Sequence, residues 1–105
     1  MSGPAPFIDP VLHHPARLQI AAVLARADDV EFATLRDIID VSDSVLSKHL
    51  SALSDAGYVK LRKAKHDGRQ RTWAAFTSAG RKAFAAHMRA LTELAASAEN
   101  AIASA

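Results

Sequence analysis

The sequence predicts one mainly α-helical domain that carries a small β-hairpin and ends in a long helix. Three observations support this fold class. Apolar residues recur every three or four positions over most of the chain, which is the spacing of helices packed on a core. Residues 58–77 alternate instead with the period of a strand and contain Asp67-Gly68, a strong hairpin-turn signal. The 105 residues leave room for one domain.

The first elements are indicated by prolines and capping residues. Residues 1–7 are expected to form a flexible arm, because chain termini are ordered only where other contacts hold them. A helical pattern begins at Asp9, and a proline divides it into a short turn and a main helix over about residues 15–26. Residues 30–33 are too few to form more than a stub of strand. Thr34 is then expected to cap a brief second helix.

The boundaries of a third helix, over residues 43–56, are well marked. Ser42 is a favourable N-cap residue, and Gly57 stands where a left-handed C-cap residue is expected. Between them, a row of three leucines at helical spacing is predicted to face inward.

Two strands and a last helix complete the chain. Residues 58–65 and 71–77 flank the turn, and Thr77 is expected to cap a helix that runs nearly to the C-terminus. This is the element order of a winged helix-turn-helix, in which the hairpin is the wing. The predicted organisation after the arm is therefore a winged helix-turn-helix DNA-binding domain at residues 8–77 and a C-terminal dimerisation helix at residues 78–105.

Positive charge is concentrated in one part of the chain. Residues 58–82 contain eight of the thirteen Lys and Arg residues but one of the eleven Asp and Glu residues, a net charge of +7. The other eighty residues carry a net charge of −5. This segregation predicts an electrostatic face for a polyanion, although a lysine-rich strand edge that blunts aggregation would have the same composition.

The helix-turn-helix geometry predicts which residues meet DNA. Its second helix lies in the major groove, and the wing contacts the backbone or enters the minor groove. Hydrogen-bonding residues on the outer side of helix 43–56 fit the groove, and the wing cations fit phosphates. The serines are also compatible with an ordinary solvent-exposed surface, and His49 with packing beside Val45. The candidate DNA-binding residues are Ser42, Ser44, Ser47, Lys48, His49 and Ser51 on the helix, and Lys60, Arg62, Lys63, Lys65, Arg69 and Arg71 on the wing.

The last helix is predicted to join two copies of the chain. Six of its apolar residues are spaced 4, 3, 4, 3 and 4, which is a heptad seam: Phe84, Met88, Leu91, Ala95, Ala98 and Ile102. At 1.5 Å per residue the helix would be about 40 Å long, longer than a domain of this size can cover. The candidate dimerisation residues are Leu12, Phe84, Met88, Leu91, Leu94, Ala95, Ala98 and Ile102. A symmetric dimer would present two recognition helices about 34 Å apart, which matches an inverted-repeat operator.

Four segments of the chain carry a family pattern. They are His14-Pro15-Ala16-Arg17-Leu18, the run from Val41 to Leu50, the run from Leu53 to Val59, and Thr77-Ser78-Ala79-Gly80-Arg81. Together they resemble the MarR/ArsR-like winged-helix transcriptional regulators, in particular the compact winged helix DNA-binding subgroup. The resemblance covers residues 8–95. It implies a dimeric repressor or activator in which Ser44, Ser47, Lys48 and the wing cations contact DNA.

Several classes of function are excluded or disfavoured. The chain has no cysteine, which excludes disulfides and thiolate chemistry, including the cysteine metal sites of ArsR-type sensors. Phosphate-binding, dinucleotide-binding and zinc-protease motifs do not occur, so we expect neither an enzyme nor a cofactor. With no long apolar run and no signal peptide, we expect a cytoplasmic protein that does not contact a membrane.

The sequence favours a homodimeric repressor that recognises an inverted-repeat operator in double-stranded DNA, and three alternatives stay open. Two of them, a protein–protein interaction module and an RNA-binding protein, would expose aromatic residues. Here Tyr58 and Trp73 are instead expected to be structural, and Trp73 is expected to pack the sheet against the core. A sensor variant of the same fold would bind an unidentified small-molecule effector, or a metal through His13, His14 and His87.

Overall fold

The computed structural model describes residues 7–105, so the predicted arm lies outside the described residues except for Phe7. The elements, in chain order, are α1 (Pro15–Leu24), β1 (Val30–Glu31), α2 (Phe32–Ile39), α3 (Asp43–Asp55), β2 (Val59–His66), β3 (Arg69–Phe76) and α4 (Ser78–Ala103). This order confirms the predicted fold class, a mainly α winged helix-turn-helix with a long C-terminal helix. A short turn at residues 10–12 precedes α1, as the proline pattern predicted.

The three strands form one antiparallel sheet in the order β1-β3-β2. β2 and β3 pair along their whole length. Between them, Asp67 and Gly68 have φ angles of 52° and 76°, the left-handed backbone that a type I′ hairpin turn requires. The predicted stub of strand is β1, and it widens the hairpin into a three-stranded sheet by pairing with β3.

Local capping signals predict two of the helix starts correctly and one incorrectly. The hydroxyls of Ser42 and Thr77 cap α3 and α4 by accepting backbone N–H hydrogen bonds, as expected. α2 instead begins at Phe32, so the prediction that Thr34 caps it is wrong. The reason is that the pairing of β1 with β3 determines where the strand ends and the helix begins, and a local signal does not contain this contact.

One apolar core lies between the helices and the sheet. The leucine row predicted for α3 is buried in it, together with residues from α1, α2 and all three strands. Leu12 is also completely buried there. It therefore presents no surface to a second copy, contrary to its prediction as a dimerisation residue, because the turn before α1 folds back onto the core of its own chain.

α4 consists of a packed half and an exposed half. In the first half, Gly80 and His87 are buried, and the ring of Phe84 lies 6.1 Å from that of Phe76, measured between centroids. From Thr92 to the end of the helix every residue is exposed. The described residues extend 63 × 25 × 21 Å, the elongated shape expected when a helix projects beyond its domain.

Candidate nucleic-acid interface

The outer side of α3 is the first part of the candidate interface. The hydroxyl of Ser42 accepts the N–H of Val45 at 3.2 Å and fixes the start of the helix. Because Leu46 and Leu50 are buried, the opposite side of α3 faces solvent. Five residues line a shallow groove of about 360 Å³ on this side, and we call them the α3 face: Ser44, Val45, Ser47, Lys48 and Ser51. Four of the five are predicted site residues.

Val45 is the member of the α3 face that the sequence did not predict. Its side chain is 40% exposed, whereas the sequence suggested packing beside His49. The spacing of three residues between Val45 and Lys48, which brings side chains to neighbouring positions on a helix, was the available signal. This signal is weak, because an apolar residue in a helix usually belongs to the core.

The start of α3 carries a carboxylate that is held by α2. Arg36 donates hydrogen bonds to Asp43 at 3.0 Å and to Asp37 at 3.3 Å. Both hydrogen bonds raise the pKa of the Arg36 guanidinium above its usual value, and the bond to Asp43 has the larger effect. Arg36 therefore offsets part of the negative charge of Asp43, which lies in the first turn of α3, where a carboxylate also suits the helix dipole.

His49 is turned away from the α3 face. It is buried, and its ring lies 4.7 Å from that of His14, measured between centroids. A guanidinium nitrogen of Arg17 is 3.4 Å from its Nδ1. Burial, followed by the proximity of His14, lowers the pKa of His49. Of the two interpretations of His49, the geometry favours packing, with α1 as the contact.

The wing cations point to two different faces of the sheet. Directly paired residues share a face, and side chains alternate along each strand. Lys63 and Lys65 therefore share the face of Val59, which is buried in the core. The other face carries the remaining candidate cations, which are Lys60, Arg62, Arg69 and Arg71.

Two of the outward arginines are engaged by carboxylates. Arg62 pairs with Asp29 at 2.5 Å, and Arg71 pairs with Glu31 at 2.7 Å. The other four candidate cations of the wing form no ion pair with any residue of the described range 7–105. These four are Lys60, Lys63, Lys65 and Arg69, and their charge is available to a polyanion.

Trp73 lies on the outward face of the sheet, so the prediction that it packs against the core is wrong. The guanidinium of Arg62 stands over its ring at 5.5 Å, and the ring of His66 meets it edge-on at 6.2 Å. The residues that fill the core are its neighbours Ala74 and Phe76. The alternation of β3 is responsible, because a residue next to a buried position points to the other face.

The predicted dimerisation residues of α4 follow the division of the helix. Phe84 and Leu91 are partly buried by their own domain. Beyond them, Leu94 is 49% exposed and Ile102 is 77% exposed. Three further members of the seam, Met88, Ala95 and Ala98, are also exposed.

The histidines named as weak metal candidates do not form one cluster. The rings of His13 and His87 are 5.6 Å apart, measured between centroids, whereas His14 lies against His49. Within residues 7–105 there is no group of three or more His, Cys, Asp or Glu residues that could hold a metal ion.

A cavity of about 380 Å³ lies beside His87, between the residues that precede α1 and the first half of α4. The N–H of Asp9 donates to Nδ1 of His87 at 3.3 Å, and the hydroxyl of Tyr58 donates to the carboxylate of Asp9 at 2.6 Å. The bond to Asp9 and burial raise the pKa of Tyr58. Nε2 of His87 is buried and has no hydrogen-bond partner among residues 7–105.

A helix that spans a membrane must be both long and apolar. No helix within the described part of the chain combines these two properties to the extent that crossing a membrane requires.

These features define a class of protein. The second helix of the motif exposes a hydrogen-bonding row and packs against a basic hairpin, which is the construction of a winged helix-turn-helix regulator. Residues 16–95 match the family model described as the winged helix DNA-binding domain, and the chain belongs to this family. Because this is a family of DNA-binding domains, membership agrees with the prediction that the protein is not an enzyme.

Individual relatives agree with this assignment. An uncharacterized protein of Methanocaldococcus jannaschii is 34% identical over 68 residues, which cover 65% of this chain and 74% of that protein. The transcriptional regulator homologue protein from Pyrococcus horikoshii OT3 has a similar structure, with a TM-score of 0.78 and 25% identity over 83% of this chain and 86% of that chain. The resemblance to winged-helix transcriptional regulators is thereby confirmed.

Two further solved structures show the same fold at lower identity. NadR in complex with 4-hydroxyphenylacetate has a TM-score of 0.66 at 23% identity, covering 89% of this chain and 68% of that chain. The transcriptional repressor BigR from Xylella fastidiosa has a TM-score of 0.61 at 23% identity, covering 72% and 71%.

Proposed function

We propose that the protein is a homodimeric, sequence-specific DNA-binding transcriptional regulator that represses from an inverted-repeat operator. The helix at residues 43–56 enters the major groove, and the wing at residues 60–71 contacts the backbone and the minor groove. The observation that carries this proposal is the α3 face, a row of exposed hydrogen-bonding side chains beside a hairpin with four cations unpaired within residues 7–105.

The members of the predicted site have unequal roles in this proposal. Ser44, Ser47, Lys48 and Ser51 contact base edges or nearby phosphates, since they are exposed on one side of α3. Ser42 remains the cap of the helix. The four unpaired wing cations bind phosphates. The two ion-paired arginines hold β1 against the hairpin, and the buried His49 packs against α1.

Dimerisation in this proposal uses the exposed half of α4, and the domain division at residues 8–77 and 78–105 belongs to the same proposal. Twelve exposed residues at the end of a helix gain little from their own domain, because isolated helices of this length are marginal in water. A second copy that covers Leu94 and Ile102 would stabilise them.

The test of this proposal is selection of bound fragments from random duplex DNA, followed by titrations at several salt concentrations. A two-fold symmetric consensus is the expected result. The variant Lys63→Ala/Lys65→Ala should bind all duplexes more weakly. It should also flatten the log–log salt dependence by about 0.9 for each phosphate that the wing no longer neutralises. The control is Lys82→Ala, an exposed cation of α4 outside the wing.

Each outcome has a clear meaning. Unchanged affinity in the double lysine variant would show that Lys63 and Lys65 do not contact the duplex. A preference for single strands, or no binding of nucleic acid, would favour RNA recognition or a protein–protein module instead.

Response to a small-molecule effector is a second proposal, favoured by the cavity beside His87. The cavity has about 380 Å³, and the buried Nε2 of His87 at its wall lacks a partner within residues 7–105. A structurally similar protein, NadR, was solved in complex with 4-hydroxyphenylacetate. Titration with aromatic carboxylates should raise Tm in wild type and not in Tyr58→Phe if the cavity is the site. An equal rise in both proteins would place binding elsewhere.

A further inference from the structure

The α3 face contains one apolar side chain among four polar ones. Val45 is 40% exposed, while its neighbours on the face are Ser44, Ser47, Lys48 and Ser51. The core beneath is complete without it, because Leu46, Leu50 and Leu53 fill the inner side of α3. Valine is also less favourable than alanine in an exposed helix position by a few tenths of a kcal/mol. Neither packing nor helix propensity therefore explains a valine here.

The position of Val45 on the helix is that of a residue that meets base edges. It is the third residue of α3, and the N-terminal residues of a recognition helix contact bases in the major groove. Its β-branched side chain has one strongly preferred rotamer in a helix, so its two methyl groups are held in fixed directions before any contact forms. Lys48, one turn later, lies on the same side.

The major groove offers one apolar group, the C5-methyl group of thymine. Serine and lysine recognise hydrogen-bonding groups, whereas a valine side chain can only exclude water from a carbon surface. We propose that Val45 is a specificity-determining residue that contacts the C5-methyl group of one thymine in each half-site. This inference rests on the proposed function, since it requires α3 to lie in the major groove.

The test uses the full-length protein and the duplex obtained by selection. Each thymine of the half-site is replaced in turn by deoxyuridine, which removes the methyl group and leaves every hydrogen-bonding group in place. For wild type, one position should show a weakening of about fourfold per half-site, the value expected when one buried methyl group is removed. For Val45→Ala, the same replacement should have a much smaller effect, because the two γ-methyl groups that reach furthest into the groove are gone.

The matched control is Ile38→Ala on α2, another exposed apolar residue outside the α3 face. It should keep the full deoxyuridine penalty. Val45→Thr, which keeps the β-branched shape but replaces one methyl group by a hydroxyl, should show a reduced penalty and covers the case that Val45→Ala folds poorly.

The outcomes separate this inference from the function on which it rests. If wild type binds the selected duplex but no deoxyuridine replacement weakens binding, Val45 does not recognise a thymine methyl group and the regulator proposal stands. A penalty in Val45→Ala as large as that of wild type would assign the methyl contact to a different residue and overturn the inference. If wild type selects no duplex at all, the proposed function itself fails.

Discussion

Asp43 occupies the first position of α3, where an unbalanced carboxylate would repel the phosphates of a bound duplex. Arg36, from the preceding helix, donates a hydrogen bond to it at 3.0 Å. The pair is exposed and therefore contributes little to stability. Its consequence is electrostatic: in the proposed complex, Arg36 reduces the repulsion between Asp43 and the phosphates of the duplex.

A second effect at the level of single residues concerns pH. His87 is 1% exposed, and burial, followed by the proximity of His13, lowers its pKa below the usual 6.5. The unfolded chain takes up a proton near pH 6.5 and the folded chain does so only at lower pH. The free energy of unfolding is therefore expected to fall as pH decreases below about 6.5. Thermal unfolding followed from about pH 8 to pH 5 measures this.

The variant His87→Asn isolates the contribution of His87. The asparagine carbonyl can still accept the N–H of Asp9, but the side chain does not titrate, so its Tm should depend less on pH than that of wild type. At about pH 8, His87 is neutral in both states, and the difference in Tm there gives the cost of the replacement itself. A pH profile identical to that of wild type would contradict the assignment.

At the level of elements, the junction between the hairpin and α4 is a close backbone contact. A Cβ at Gly80 would overlap the backbone carbonyl of Tyr58 and touch the ring of Phe76. Thr77 strengthens the same junction, because its hydroxyl donates to the carbonyl of Gly57 at 2.6 Å. Glycine at position 80 thus allows the first turn of α4 to lie directly against the backbone of Tyr58, the residue before β2.

Gly80→Ala is expected to destabilise the protein. Alanine normally stabilises a helix interior by about 1 kcal/mol relative to glycine, but here the added methyl group meets a rigid backbone. Overpacking of this kind costs about 1–3 kcal/mol, so the net free energy of unfolding should decrease. Chemical denaturation measures the change, with Ser78→Ala as the control on an exposed position of the same turn. Stabilisation by Gly80→Ala would mean that α4 can move away at no cost.

The six candidate cations of the wing differ in whether a carboxylate pairs with them, and the composition of the segment does not show this difference. Six cations of the hairpin are equivalent in a count of charge, yet two of them are ion-paired by carboxylates on or beside β1. β1 is only two residues long, but it brings Glu31 next to the hairpin. The stub of strand thus determines which wing cations remain unpaired.

At the level of the whole molecule, the proposed dimer depends on the projecting half of α4, which is exposed from Thr92 onward. Leu94→Glu/Ile102→Glu puts two charges into the proposed dimer interface and is expected to give a monomer, because burying unpaired charges is costly. Analytical ultracentrifugation measures this directly. Affinity for a two-fold symmetric duplex should fall in the same variant, since one recognition helix is then bound instead of two.

A matched control tests whether position or charge is responsible. Ala96→Glu adds a carboxylate to the same exposed part of α4 on the side opposite the seam, and it should remain dimeric. If the double variant still sediments as a dimer, the exposed half of α4 is not the interface. Dissociation of the dimer in Ala96→Glu would instead indicate a general effect of charge.

Fold and site were predictable to different extents. Some signals act between residues near in sequence: helix periodicity, the caps at Ser42 and Thr77, and the Asp67-Gly68 turn. These signals predicted the order of the elements and the outward orientation of the α3 serines. The start of α2 was missed, because it depends on pairing with a distant strand.

The local sequence was therefore sufficient to predict the secondary-structure elements, the winged helix-turn-helix class and the concentration of positive charge. The folded chain decided which side chains are available: it buries Leu12, turns Trp73 outward, pairs Arg62 and Arg71 with carboxylates and exposes Val45. The physical reason is that a side chain's exposure and partners depend on segments far away in sequence. Short-range propensities carry no information about those segments.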